Sequence, residues 1–276
     1  MDPGYLAPDL NGVPFPSPRD LYANWAQVYD CFQPDRTREV DSWARIAAPH
    51  GPCVLDMMCG TAEVGLGIAR RGFHVLGVDL SPTMLAIGAH RLGAAADFPA
   101  RNLALVQAEA CRLPACAGSF DFVLVGGSGS FNHLDPAQAL AALHEIGRVL
   151  RPGGALGAEL VNPHLLEEIE PTRVFGPLRP TEPGVFLERV CSSRYDRRAG
   201  RYHIHQTTRK LANGASNQRS EEYFVLHIWE PDQIVEMMDS AGFRGVRTYG
   251  GLDQAPFGRW SSDLLVLAQK NVTAQS

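Results

Sequence analysis

The stretch from Val54 to Leu85, VLDMMCGTAEVGLGIARRGFHVLGVDLSPTML, constrains this chain more than any other. An apolar run at Val54–Met57 reads as a buried strand. A turn containing Gly60 follows, then a helix from about Ala62 to Arg71. A second strand, Val75–Val78, is followed at its tip by Asp79. Ser81 then reads as an N-cap with Pro82 at the first helical position. This is a βαβ unit, which leaves a ligand-sized gap above its first turn. Asp79 stands 19 positions after Gly60. A carboxylate at that strand end can accept hydrogen bonds from both hydroxyls of a ribose, so the unit predicts an adenosine-containing ligand.

Strands and helices continue to alternate downstream. Strands are expected at Leu103–Gln107, Phe120–Val125 and Ala155–Leu160, and a helix at Pro136–Leu150 that stops at Arg151-Pro-Gly-Gly. Apolar strands alternating with helices imply a parallel sheet covered on both faces. After Asn162 the texture changes. Three long β segments, Val185–Tyr195, Tyr202–Leu211 and Ser220–Trp229, are joined by Arg-Arg-Ala-Gly and Ala-Asn-Gly turns. A helix at Pro231–Ala241 and strands at Gly245–Tyr249 and Asp263–Ala268 close the chain. The last two have no helix between them, so they must pair antiparallel.

The expected fold class is α/β: a Rossmann-like, seven-stranded, mostly parallel sheet with its last strand antiparallel, plus an antiparallel β insertion acting as a lid. Residues 1–48 form an N-terminal arm and lid helix. Five prolines make 1–19 extended, and Asp20–Ala48 is helical with Leu21, Trp25, Val28 and Tyr29 on one face. Residues 49–170 form the core, 171–229 the insertion as lid or dimer contact, and 230–276 the C-terminal part of the core.

Composition narrows the partners. The 276 residues are 45% hydrophobic and 20% charged, an ordinary soluble balance. A net charge of −5 without clustered Lys and Arg disfavours nucleic acid. Only Lys210 and Lys270 are lysines, the other basic residues being arginines, which suggests a GC-rich genome rather than chemistry. No apolar run approaches the roughly 20 residues that span a bilayer, and no secretory signal is visible, so a reduced cytoplasmic location is expected. The six cysteines include no CxxC pair, so neither a disulfide framework nor a metal site is expected.

Several motifs together resemble the class I S-adenosylmethionine-dependent methyltransferases over about residues 20–163 and 231–269. LDMMCGTA is similar to the family's Asp/Glu-x-Gly-x-Gly-x-Gly loop, and GVDLSPTML to its ribose-binding strand end. QAEACRLP and SFDFVLV resemble its adenine-side acidic residue and fourth strand, and LRPGG the turn before strand five. The resemblance implies S-adenosyl-L-methionine as cofactor. It places Asp56, Met58, Cys59, Gly60, Asp79, Leu80, Met84, Glu109, Ala110 and Gly126 against it, with Tyr22 and Tyr29 covering it from an Ala-x-x-Tyr-Asp segment. Met58 and Ala62 replace two of the loop's glycines. Glycine permits unusual φ and close approach to a ligand, so the Met58 side chain must point away from the cofactor. Glu109 stands where Asp is commoner.

Methyl transfer from a sulfonium is an in-line displacement that needs alignment, desolvation and, for some acceptors, a base. The segment after the fourth strand, GGSGSFNHL, lies beyond a carboxyl strand end, where open α/β sheets bind ligands. It offers Ser130, Asn132 and His133 to a substrate, and His133 suits a base near neutral pH. A His before Leu in this loop also occurs in look-alikes that methylate sugar amines. Tyr29 is the second catalytic candidate. Trp25, His203, Tyr223 and Arg259 are further substrate candidates, with Phe257 beside Arg259. His203 and His205 share a strand face, and a solvated or dimer-facing strand suits them better than a metal pair.

The resulting expectation is a small-molecule methyltransferase in natural-product metabolism that methylates nitrogen, with O- or C-methylation of a small molecule as the alternative. It would bind neither nucleic acid nor membrane, with a homodimer left open. Two rivals stand beside it: a cofactor-binding enzyme of the same fold doing non-methylating chemistry, and a noncatalytic partner subunit. A dinucleotide ligand is disfavoured because the loop lacks Gly-x-Gly-x-x-Gly.

Overall fold

The computed structural model describes residues 22, 25–95, 102–181, 183–212 and 216–271. The extended arm expected at 1–19 lies outside them, as does most of the Ala-Asn-Gly turn at 212–214. Eleven strands form two sheets among the described residues.

The larger sheet is built from β1 (Cys53–Met57), β2 (His74–Asp79), β3 (Leu103–Gln107), β4 (Phe120–Val125), β5 (Leu150–Val161), β10 (Phe243–Tyr249) and β11 (Asp263–Lys270). Its order is β10-β11-β5-β4-β1-β2-β3. β11 pairs antiparallel with both neighbours, and the remaining pairs are parallel. The missing helix between the last two strands has the consequence expected of it: a direct connection forces the reversal.

The central strands are apolar on both sides because helices cover both faces. α1 (Ala26–Tyr29) precedes α2 (Thr37–Ala47), which packs with α3 (Glu63–Ala69) on one face; Trp43, Ile68, Phe122 and Leu124 are fully buried there. α4 (Pro82–Ala94) follows β2, and α5 (Pro136–Val149) and α6 (Pro231–Ser240) cover the other face with Leu143, Ile146 and Ile234 against Val123 and Leu156. Alternation along β4 sends Phe122 and Leu124 to one core and Val123 and Val125 to the other. Each such side chain contributes about 1.5–3 kcal/mol by leaving water. α4 is capped as its sequence requires: the Ser81 hydroxyl accepts from Met84 N at 3.3 Å. Asp135 and Gln138 form a reciprocal capping box on α5.

The helix expected over Asp20–Ala48 is broken. A 3₁₀ turn at Asp30–Phe32 ends α1, and Gln33 is extended at φ −98°, ψ 143°. Pro34 is the cause, since its ring excludes α geometry from the residue before it. The break lets residues 25–33 lie over the carboxyl ends of the sheet while α2 packs below.

The insertion is a four-stranded antiparallel sheet, β6-β7-β8-β9, with β6 Thr172–Phe175, β7 Val185–Asp196, β8 Arg201–Ala212 and β9 Ser216–His227. β6 was absent from the sequence expectation; four residues between proline-rich stretches carry little period-2 signal. Tyr202, Ile204, Phe224 and Leu226 face the core side of this sheet with Leu166 and Ile228. The insertion is tied to the N-terminal segment by Leu178 N donating to Cys31 O at 2.7 Å and Arg179 Nε donating to Gln33 O at 3.0 Å.

Candidate active site

The loop from β1 to α3 takes a conformation that favours glycine at three alternate positions. Met58, Gly60 and Ala62 have φ of 61°, 55° and 56°. For each non-glycine this costs about 1–2 kcal/mol. The loop is held open by backbone bonds: Cys59 N donates to Val78 O at 3.0 Å and Ala62 N to Cys59 O at 2.9 Å. Gly60 N donates to Asp79 Oδ2 at 2.7 Å, so the loop and the second strand end are one unit. A Cβ on Gly60 would meet nothing within 4 Å, because open space lies above it.

That space is a cavity of about 360 Å³. Gly60, Asp79, Leu80 and Met84 form one wall, and Ala108, Glu109, Ala110 and Cys111 another. Tyr22, Tyr29, Ser130 and His133 close it from above, and Leu134 and Gln138 bound its far end. Met58 packs against the core and borders this cavity. Asp79 Oδ1 also accepts from Ser81 N at 2.8 Å. Burial pushes the Asp79 carboxyl above the usual carboxylate range, while these backbone donors pull it back.

A smaller chamber of about 40 Å³ shares Tyr29, Met58, Gly60 and Ser130 with the first and is otherwise bounded by Arg36, Asp56, Cys59, Thr61, Glu63, Val64, Gly126 and Gly127. Arg36 is the cation at this end. Its guanidinium donates to Gln33 Oε1 at 3.0 Å and to both oxygens of Glu39, at 3.0 and 3.1 Å. Asp56 is 2% exposed, and burial, then Glu39 and Asp79, push its carboxyl up to about 8. Asp56 Oδ2 is buried without a hydrogen-bond partner, whereas Glu63 is ion-paired with Arg179 at 2.9 Å and its Oε2 lies 4.0 Å from Arg36 Nε. A cation beside a buried acceptor that lacks a donor suits a ligand end carrying both a carboxylate and an ammonium, and the larger cavity suits an adenosine. The pair therefore fits S-adenosylmethionine. Arg36, Cys111 and Gln138 were missed from sequence. The signal for Arg36 was Pro34, which ends the preceding segment and turns Arg36 toward the loop.

Above the cavity, the Tyr22 hydroxyl lies 3.0 Å from His133 Nε2. Burial pushes the His133 imidazole down to about 4 and the Tyr22 phenol up, so both are neutral near pH 7. The Tyr29 ring meets Tyr22 edge-on at 6.2 Å. Phe224 of β9 packs 5.5 Å from His133 and was also missed.

Five expected substrate residues stand elsewhere. Asn132 is fully buried, its amide donating to His227 O at 2.6 Å and accepting from Val161 N at 3.0 Å; it brackets the loop, β5 and β9 together rather than facing the cavity. Trp25 packs behind the tyrosines, 5.7 Å from Tyr22 and 5.1 Å from Tyr29. His203 and Tyr223 lie outside the cavity through strand parity. Their neighbours Ile204 and Phe224 pack on the core side, so their own side chains take the opposite face, where Tyr223 stacks on His205 at 4.1 Å. Arg259 is exposed and pairs with Glu168, while Phe257 meets His164 at 5.7 Å. Among the described residues no group of three or more His, Cys, Asp or Glu could hold a metal, and no helix is long and apolar enough to cross a membrane.

Residues 54–154, from β1 into β5, match the family model described as a methyltransferase domain. The putative methyltransferase YqeM of Bacillus subtilis is 23% identical over 258 residues, covering 93% of this chain and 100% of that protein. The demethylmenaquinone methyltransferase of Staphylococcus saprophyticus is 30% identical over 146 residues, 50% of this chain and 59% of its own length. The structure of S-adenosylmethionine-bound CalS10, an amino pentose methyltransferase of Micromonospora echinaspora involved in calicheamicin biosynthesis, superposes with a TM-score of 0.63 at 23% identity, covering 86% of this chain and 91% of that one.

Proposed function

We infer that this chain, a class I S-adenosylmethionine-dependent methyltransferase, methylates a nitrogen of a small molecule in natural-product metabolism. The observation that carries the reading is the neutral Tyr22–His133 pair closing the cofactor cavity. A structural neighbour described as a sugar N-methyltransferase supports nitrogen as the target. On this reading the described residues of the core hold the cofactor, and the described residues of the N-terminal segment, 22 and 25–48, and of the insertion close over the acceptor as a lid.

S-adenosylmethionine supplies, when bound, an electrophilic methyl group on a sulfonium. The chain supplies the rest. Asp79 receives the ribose hydroxyls, Glu109 an adenine donor, and Leu80, Met84 and Ala110 the adenine faces. Arg36 takes the carboxylate, and Asp56 the ammonium. Tyr22, Tyr29 and Phe224 exclude water above the reacting atoms. Holding the acceptor in line contributes about 7–11 kcal/mol to the barrier reduction. His133, unprotonated near neutral pH, accepts the acceptor's proton by way of the Tyr22 hydroxyl, which passes its own proton to Nε2 as it receives another.

A second reading, transfer to carbon, draws on the demethylmenaquinone methyltransferase relative, whose length this chain spans only in part. Incubation with S-adenosylmethionine and a panel of amines, phenols and carbon acids separates the two. A product heavier by one CH₂, with S-adenosylhomocysteine formed in equal amount, is expected from amines. Products from carbon acids alone favour the second reading, and cofactor binding without any methylated product refutes both.

A further inference from the structure

A second cleft, of about 380 Å³, lies between the N-terminal segment and the free end of the insertion. Trp25 and Gln27 bound it on one side, and Thr208, Lys210, Arg219 and Ser220 on the other. We propose that this cleft binds the anionic group, a carboxylate or a phosphate, of the acceptor molecule. The proposal rests on the reading of the chain as a small-molecule methyltransferase and names the chemistry of its substrate.

Three observations carry it. The lining is rich in donors: a lysine, an arginine, two hydroxyls, an amide and an indole. Its one carboxylate, Glu221, is engaged by Arg219 in an ion pair. Lys210 makes no hydrogen bond or ion pair among the described residues, whereas the chain's other lysine, Lys270, donates to Leu150 O at 2.7 Å. Behind the wall sits Arg189, 8% exposed, with its guanidinium 4.1 Å from the Trp25 ring and its Nε 3.4 Å from the Thr208 hydroxyl. Arg189 Nη2 and Trp25 Nε1 are both buried donors without an acceptor. The guanidinium is held between the Trp25 and Phe32 rings, 4.1 and 3.9 Å from their centroids, so its positive charge stands close behind the cleft wall and adds to the attraction of an anion there.

The cleft also stands at a useful place. Trp25 separates it from the reaction chamber, stacked 5.7 Å from the Tyr22 ring whose hydroxyl meets His133. An acceptor anchored here by its charged end extends its other end past Trp25 toward Tyr22.

The two lysines make the test direct. Acetic anhydride labelling, read by mass spectrometry at Lys210 with Lys270 as internal control, is run with inorganic phosphate in one arm and acetate in the other. Saturable protection of Lys210 by about fivefold or more, with a midpoint below about 10 mM and Lys270 unchanged, is expected from one arm and identifies the group. Lys210 labelling that neither anion changes relative to protein without added anion, or parallel slowing of both lysines, overturns the proposal. In turnover, amines matched except for an anionic group are compared: Lys210→Gln raises KM about tenfold for the anionic one with kcat unchanged, and no difference again overturns it. S-adenosylhomocysteine binding, measured on the same protein, fails only if the methyltransferase reading itself fails.

Discussion

The Tyr22 hydroxyl meets His133 Nε2 at 3.0 Å across 111 residues of sequence, joining the N-terminal segment to the loop after the fourth strand. The bond assembles two halves of a chamber that neither segment forms alone. Replacing His133 with Ala removes the proton acceptor and slows turnover by about 10²–10⁴-fold. Tyr22→Phe keeps the ring and breaks the relay, so it lowers kcat while leaving cofactor affinity within about threefold. Steady-state kinetics with calorimetric titration of the cofactor check both; a His133→Ala enzyme at full speed removes the base from the mechanism.

The same burial sets the pH dependence. His133 is pushed down to about 4, so it binds a proton only well below neutrality. The kcat/KM profile, which reports the free enzyme, accordingly shows no limb near 6.5 from this residue, and its acid limb falls near pH 4. A limb near 6.5 that His133→Ala abolishes would contradict the buried geometry.

Asp79 serves the loop before it serves a ligand. Its two oxygens accept from Gly60 N and Ser81 N. Asp79→Ala removes these charge-assisted bonds as well as the ribose contacts, and loss of about 2–3 kcal/mol raises the cofactor Kd by about 30–150-fold. Titration with S-adenosylhomocysteine reads this directly, and an unchanged Kd excludes the ribose role.

Much of this site was legible because its signals are local. Asp79, Leu80, Met84 and Glu109 follow strand ends whose apolar runs stand out, and a parallel sheet brings strand ends together by its own geometry. His133 was found for the same reason. Asn132, beside it, was assigned to substrate, and only the fold reveals that its amide spans two other strands. His203 and Tyr223 show a different limit. The period of a strand says which residues share a face, while what covers that face decides its chemistry, and Phe224 rather than Tyr223 meets His133. Arg36 depended on seeing that Pro34 breaks the helix. Its partner Glu63 lies 27 residues on, a separation with no periodic signature.

The glycine-poor loop yields a stability prediction with opposite outcomes at its two anomalous positions. Ala62 stands at φ 56° and carries only a methyl group, so Ala62→Gly relieves strain and loses little packing. It stabilises the protein by about 0.5–1 kcal/mol, after the larger chain entropy of glycine is subtracted. Met58 stands at φ 61° but packs its side chain against the core. Met58→Gly therefore trades about 1–2 kcal/mol of strain for a similar or larger loss of packing and leaves the protein no more stable. Urea unfolding of the two variants checks the contrast; equal stabilisation by both would mean that the Met58 side chain contributes nothing to core packing.

Glu159 on β5 gives the clearest test by pH. It is 6% exposed and accepts from Gly127 N at 3.1 Å. Burial first, then Glu39 and Asp263, push its carboxyl up to about 8 in the folded chain, against 4.5 as the ordinary value. Between these values the unfolded chain has released a proton that the folded chain still holds. Unfolding then releases protons, so this group's contribution is fully present below about 4.5 and is lost as pH rises through about 8. Glu159→Gln keeps an acceptor for Gly127 N and cannot ionise. It is expected to leave stability at pH 4.5 within about 0.5 kcal/mol and to stabilise the protein by on the order of 2 kcal/mol at pH 8, where the wild type must either keep a costly proton or bury a charge. Chemical denaturation at the two pH values measures the difference. Parallel stability curves for the two proteins would show that Glu159 ionises in the fold as freely as in water, and that the wall between the Arg36 chamber and β5 is wet.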